Sequence, residues 1–70
     1  MQTLLFNTTT KTVKVTDGAL ENSNILFIFN NVPTVKVNQT YYEVMKRDED
    51  SSTVPVLRVP ISNTNMVIQK

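Results

Sequence analysis

Apolar and polar residues alternate over short segments of this chain, and this pattern is typical of strands with one buried face. Between Thr12 and Thr16, two valines alternate with threonine and lysine, which predicts a half-buried strand. Short apolar segments bounded by polar residues predict further extended segments at Thr3 to Asn7, Ile25 to Phe29, Thr34 to Arg47 (as a hairpin), Val54 to Ile61 and Met66 to Gln69. We therefore expect a single domain, residues 1–70, built from strands.

The segment Ile25 to Phe29 is the most apolar run, with five consecutive apolar residues and asparagine on both sides. Such a run predicts a strand that is buried on both faces. A chain of 70 residues has only one interior, so the second face, formed by Leu26 and Ile28, needs a cover. A closed barrel or another subunit could supply it, and we expect a homodimer or a higher oligomer.

The segment Thr34 to Arg47 predicts a hairpin whose register is set by its hydrophobic pattern. A two-residue loop at Asn38-Gln39 and a four-residue loop both sort the side chains cleanly, whereas a three-residue loop mixes the faces. One face then carries Val35, Val37, Tyr42 and Val44. The other carries Lys36, Tyr41, Glu43 and Met45. Because tyrosine and methionine are enriched in interfaces, this second face is a candidate contact surface; ordinary exposed side chains are the equally weighted alternative.

The segment Val54 to Ile61 contains Pro55 and Pro60, which have no backbone N–H to donate. It should therefore lie at a sheet edge or contain a bulge. Such an edge could pair with a strand of a partner, which makes Val56 and Arg58 candidate interface residues.

Asp17-Gly18 predicts a turn. The residues after it, 19–22, fit either one helical turn capped by Asp17 or a simple loop. Lys46 and Arg47 precede the acidic group Asp48-Glu49-Asp50. This group could bind a hard cation weakly, but a solvated connection is the favoured interpretation.

Composition supports an all-β fold and argues against catalysis. The chain has 24 β-branched residues, one alanine and one glycine, which favours strands over helices. It has no histidine and no cysteine, so the usual general base, thiolate nucleophile and soft metal ligands are missing. We predict a small antiparallel sheet or partly closed barrel of five to six strands, completed by oligomerisation, with no catalytic residue, metal or cofactor.

The formal net charge of +1 lacks the basic excess typical of nucleic-acid binders. The best version of a small nucleic-acid-binding barrel would combine Tyr41 and Lys36 with Lys46, Arg47 and Arg58. An ordinary lysine–tyrosine pair across two strands is the favoured alternative.

The first residues lack the positive segment and the apolar run of a signal peptide, and no segment reaches membrane-spanning length. We expect a cytoplasmic protein that does not contact membranes. A short chain rich in asparagine, threonine and valine, without cysteine or histidine, resembles the small accessory proteins of bacteriophages. That resemblance implies a viral protein in the host cytoplasm that binds itself and inhibits a host protein or sequesters a small ligand such as a nucleotide signal. A virion or scaffold protein is the structural alternative.

Overall fold

The computed structural model describes residues 1–18 and 24–70, and these residues form seven strands and no α-helix. The expected all-β class is confirmed. The strands are β1 (Gln2–Asn7), β2 (Thr12–Thr16), β3 (Ile25–Phe29), β4 (Thr34–Val37), β5 (Tyr41–Arg47), β6 (Thr53–Pro60) and β7 (Thr64–Gln69). A short 3-10 turn, Ile61–Asn63, joins β6 to β7. The choice between a helical turn and a loop at 19–22 lies outside the described residues.

The strands form two separate sheets, in the orders β3-β2-β1-β7 and β4-β5-β6. The prediction of one antiparallel sheet or a partly closed barrel of five to six strands is therefore wrong in its details. The described residues form seven strands in two sheets that do not close a barrel, and β1 pairs with β7 in parallel. The last strand returns across the molecule to the first, and the Thr8 N–H donates to the Gln69 carbonyl at 2.8 Å.

The core lies where the inner faces of the two sheets meet. Val13 and Val15 are fully buried, whereas Lys14 between them is exposed, so the predicted alternation of β2 is confirmed. One cluster joins buried residues of both sheets: Leu4, Phe6, Val13, Val15, Val32, Val35, Val44 and Val59. This is the arrangement of a small sandwich, in which alternate residues of each strand point inward.

The β4–β5 hairpin has the register of the four-residue loop. Val37 lies opposite Tyr42 and Lys36 lies opposite Glu43, whereas a loop at Asn38-Gln39 would have placed Lys36 opposite Tyr41. The Asn38 N–H donates to the Tyr41 carbonyl at 2.9 Å and closes the turn. Glutamine disfavours the positive φ that a two-residue type I′ loop needs, which explains why that alternative is wrong.

Met45 is the exception among the predicted outward residues, because it is only 5% exposed. Val44 and Met45 are consecutive on β5 and both are buried, but Met45 is not part of the core cluster that contains Val44. A bulge lies beside them in β6, because Val44 lies opposite Leu57 and Met45 lies opposite Pro55, which leaves Val56 without a residue opposite it on β5.

Strand β6 lies at an edge of the three-stranded sheet and contains this bulge. Pro55 and Pro60 predicted either an edge strand or a bulge, and β6 has both. Strand β3 lies at an edge of the four-stranded sheet and is mostly exposed, so its expected burial on both faces is wrong for the single chain. As an end strand, β3 has one neighbour in its sheet among the described strands, β2.

No helix among the described residues has the length and apolar character needed to cross a membrane.

Candidate interaction surfaces

Among the described residues, the longest run of exposed large apolar side chains lies in the strand β3, here named the β3 strip (Ile25–Phe29). The exposed fractions are 52% for Ile25, 42% for Leu26, 44% for Phe27 and 57% for Ile28. The Phe27 and Phe29 rings stack with their centroids 6.1 Å apart, and Phe29 also packs against the core. The strip therefore joins the core at one end and presents apolar side chains to solvent along its length.

Backbone hydrogen bonds hold the start of the β3 strip. The Asp17 N–H donates to the Asn24 carbonyl at 3.0 Å, and the Asn24 N–H donates to Asp17 Oδ1 at 3.1 Å. Further along, Ile25 lies opposite Thr16 and Phe27 lies opposite Val15, so a bulge leaves Leu26 without a partner residue on β2. The strip is thus fixed as an extended strand at both of its ends.

The outer surface of the three-stranded sheet brings four of the predicted contact residues together. We name it the Tyr41 face: Lys36, Tyr41, Glu43 and Arg58. Glu43 of the central strand lies opposite Lys36 of β4 on one side and opposite Arg58 of β6 on the other. Sequence reasoning placed the first three on one hairpin face, and the pairing of β5 with β6 adds Arg58.

Hydrogen bonds and charge order the Tyr41 face. Arg58 Nε donates to Glu43 Oε2 at 2.6 Å, and the Arg58 guanidinium lies 5.1 Å from the centre of the Tyr41 ring, within the range of a cation–π contact. Asn38 Nδ2 lies 2.9 Å from the Tyr41 hydroxyl oxygen, to which it donates. The hydrogen bond to Glu43 raises the pKa of Arg58 above its usual value, so the guanidinium stays charged.

The other predicted interface residues lie apart from this face. Leu26 and Ile28 belong to the β3 strip. Val56 is 37% exposed at the bulge of β6. Met45 is buried, so its side chain is not presented to a partner in this conformation.

A groove that sequence reasoning missed runs between three loops. It has a volume of about 870 Å³ and is lined by Lys11, Asn31, Pro33 and residues 46–50. Lys11 and Asn31 have φ of 59° and 58°, and their carbonyls accept hydrogen bonds from the N–H groups of Val32 and Arg47, each at 2.9 Å. These bonds join the β3–β4 connection to the β1–β2 loop and to the end of β5, which gives a structural reason for the positive φ angles. No short motif marks the groove, because its walls are far apart in sequence.

The groove carries charges of both signs, and its acidic residues do not form a metal site. The lining cations are Lys11, Lys46 and Arg47, and the lining acids are Asp48, Glu49 and Asp50. The Asp50 carboxylate accepts hydrogen bonds from the Ser52 hydroxyl at 2.6 Å and the Ser52 N–H at 3.0 Å, and these bonds lower its pKa. Across residues 1–18 and 24–70, no three acidic side chains are grouped so that they could hold a metal ion.

Comparison with protein-family models, with curated proteins and with solved structures finds no match for this chain. The surfaces that the described residues offer are an apolar strand edge, an ordered polar face around an aromatic ring and a groove of mixed charge. Apolar strand edges and aromatic–arginine surfaces form contacts with other polypeptides.

Proposed function

We propose that this protein is a non-catalytic binding protein that works as a homo-oligomer. The observation that carries the proposal is the exposure of the β3 strip, four of whose five residues are large, apolar and at least two-fifths exposed. Monomeric proteins seldom leave such a contiguous apolar patch in water, and each large apolar side chain that is fully buried stabilises by about 1.5–3 kcal/mol. Association removes this surface from water.

The small size of the core supports the same proposal. Nine apolar residues are buried among those described, and the chain has no disulfide because it has no cysteine. Domains of this size commonly gain stability from association. The residues that remain exposed on β3 are therefore the obvious source of additional burial.

The Tyr41 face is the surface that we propose for a second protein. Tyrosine and arginine are the residue types that most often dominate binding energy at interfaces. Here the Arg58 guanidinium is already held by Glu43 and lies over the Tyr41 ring, so little side-chain freedom is lost on binding. We propose that the protein acts by occupying the surface of a host protein, as the bacteriophage-like composition suggests.

Light scattering coupled to size exclusion tests the oligomer over a dilution series. At micromolar concentration we expect at least twice the chain mass of 8.0 kDa. A mass of one chain at every concentration contradicts the proposal. Large open assemblies would instead favour the structural scaffold alternative.

Affinity capture from a host extract tests the Tyr41 face. Tyr41→Ala and Arg58→Ala should each release a protein that the wild type retains, while the oligomer mass stays unchanged. Val37→Ala is the matched control, because Val37 is exposed on the opposite face of the same hairpin. Equal retention by all the variants contradicts a role for the Tyr41 face.

A further inference from the structure

The sequence around the β3 strip is symmetric in character about Phe27. Asparagine occupies both flanking positions, Asn24 and Asn30, and the five residues between them are all apolar. In an antiparallel pair, residues whose numbers have a constant sum lie opposite each other. A strand with this symmetry can therefore pair with an identical strand and match like with like at every position.

We propose that β3 pairs antiparallel with β3 of a second copy, with the two-fold axis at Phe27. This inference rests on the proposed self-association and identifies its surface and register. Phe27 lies opposite Phe27 of the second copy, Ile25 opposite Phe29 and Leu26 opposite Ile28. All five apolar residues of each strand then face apolar residues, and Asn24 faces Asn30.

In the neighbouring registers, fewer apolar residues face apolar residues of the second copy. If the axis moved to Ile28, Leu26 would face Asn30 of the second copy. If it moved to Leu26, Ile28 would face Asn24. In both cases apolar side chains lose their partners, and register in a two-sided apolar strand is set by such matches.

The edge of β3 also lacks the usual features that prevent pairing. Natural edge strands are commonly protected by charged side chains or proline, and residues 24–30 contain neither. Among the described residues, β3 has a bulge at Leu26 and a length of only five residues as protection, and it is paired with β2 on both sides of the bulge.

Charge does not oppose the pairing. The nearest cation in the ladder is Lys14, opposite Ile28 on β2. In the dimer, the two Lys14 residues are three strand spacings apart across the sheet, about 14 Å, and are also offset by two residues along the strands. This exceeds the screening length of about 8 Å at physiological ionic strength.

The resulting dimer has a defined shape. Two four-stranded sheets join through β3 into one sheet of eight strands. Phe27 and Phe27 of the second copy lie opposite each other, so both side chains point to the same side of the joined sheet. Both three-stranded sheets therefore also lie on one side of it. A five-residue strand is only about 17 Å long, so we expect an association that reverses on dilution.

Single-cysteine cross-linking tests this register directly, because the chain has no cysteine of its own. Residues directly opposite each other in an antiparallel pair have Cα atoms about 4.5–5.5 Å apart, within the range that a disulfide spans. Phe27→Cys should therefore give a covalent dimer on mild oxidation. Ile25→Cys alone should not, because the two equivalent positions are four residues apart along the strand, about 14 Å.

A mixture of Ile25→Cys and Phe29→Cys sharpens the test, since these two positions face each other only in the proposed register. We expect a cross-linked heterodimer from the mixture. Val37→Cys, at another exposed apolar position, measures cross-linking by random collision. Circular dichroism checks that each variant is folded, and the Ile25 and Phe29 pair keeps the test available if Phe27→Cys is unfolded.

The outcomes separate the register from the proposed function. Cross-linking of Phe27→Cys and of the mixture, well above the Val37→Cys level, supports the register. Efficient self-cross-linking of an Ile28→Cys variant overturns the register. The register is also overturned if the wild type is an oligomer but neither Phe27→Cys nor the mixture cross-links. In both cases self-association stands. A wild-type protein that is monomeric at every concentration overturns both.

Discussion

Two of the four strands that lie at sheet edges, β3 and β6, differ in how their edges are protected. Strand β6 carries two prolines, a bulge and Arg58, whose side chain is 61% exposed. Strand β3 has a bulge but neither a charge nor a proline. Because proline and charge hinder the addition of a further strand to a sheet, the edge of β6 is better protected than the edge of β3, at which we propose that a second copy pairs.

The largest expected effect separates the core from the β3 strip. Leu4→Ala removes a fully buried side chain and should lower the free energy of unfolding by about 2–5 kcal/mol. Ile28→Ala makes a comparable truncation at an exposed position and should cost less than about 1 kcal/mol. Urea denaturation at a concentration where the protein is monomeric measures both. Equal losses would mean that Ile28 is covered within the single chain, and the contrast between the two regions would fail.

The protection of β6 can be removed by Pro55→Val. Proline in an edge strand occupies a position whose N–H would face solvent, so valine adds a donor on the free edge. We expect a mass above that of the wild type at equal concentration, together with a loss of about 0.4–1 kcal/mol from the greater freedom of the unfolded chain. Thr53→Val is the control, since it adds an apolar side chain to β6 without adding a donor. An unchanged mass for Pro55→Val would show that the proline does not protect this edge.

The charge on β6 can be tested with Glu43→Gln, which removes the partner of Arg58. The pair is open to solvent on the side of Arg58, whose side chain is 61% exposed, whereas the Glu43 side chain is 13% exposed. Ion pairs at the surface contribute little to stability and are screened by salt. We expect a smaller loss of stability than in the preceding variants, and one that diminishes between low and high salt. Glu49→Gln removes a carboxylate from an exposed loop and should lack this salt dependence. A loss that is independent of salt would argue against the ion pair as its cause.

The smallest effect concerns the loop that leads into β6. Ser52 donates two hydrogen bonds to the Asp50 carboxylate and lowers its pKa. The folded state therefore binds this proton less tightly than the unfolded chain. The resulting stabilisation is present above the ordinary carboxyl pKa and is lost as the pH falls through the lowered folded value. Asp50→Asn should remove this part of the acid dependence in thermal unfolding curves, and Glu49→Gln serves as the control. If Asp50→Asn lost stability at low pH in the same way as the wild type, Asp50 would not be the source of this acid dependence.

Local patterns predicted the strands and several of their faces. The alternation in β2 predicted the burial of Val13 and Val15, and the even hairpin loop correctly grouped Lys36, Tyr41 and Glu43. These predictions succeed because side-chain direction alternates along an extended backbone and needs no knowledge of distant residues. Most of the Tyr41 face was accessible from the sequence for this reason.

Features that depend on distant segments were not accessible. The parallel pairing of β1 with β7 leaves no local signal, and the groove is assembled from loops far apart in the chain. The burial of Met45 was also missed, because alternation gives the side of the sheet on which a side chain lies and not what covers it there. The bulge in β6 was one of the two alternatives that Pro55 and Pro60 indicated.

Local sequence was enough to predict that the chain forms strands, which side chains alternate, and that Ile25 to Phe29 has no polar face. Which strands are neighbours, and which of them end a sheet, became clear from the fold alone. Side-chain direction is set by adjacent bonds, whereas burial depends on what packs from elsewhere in the chain. The apolar composition of β3 is a property of its sequence, and its exposure is a property of its place at the end of the four-stranded sheet.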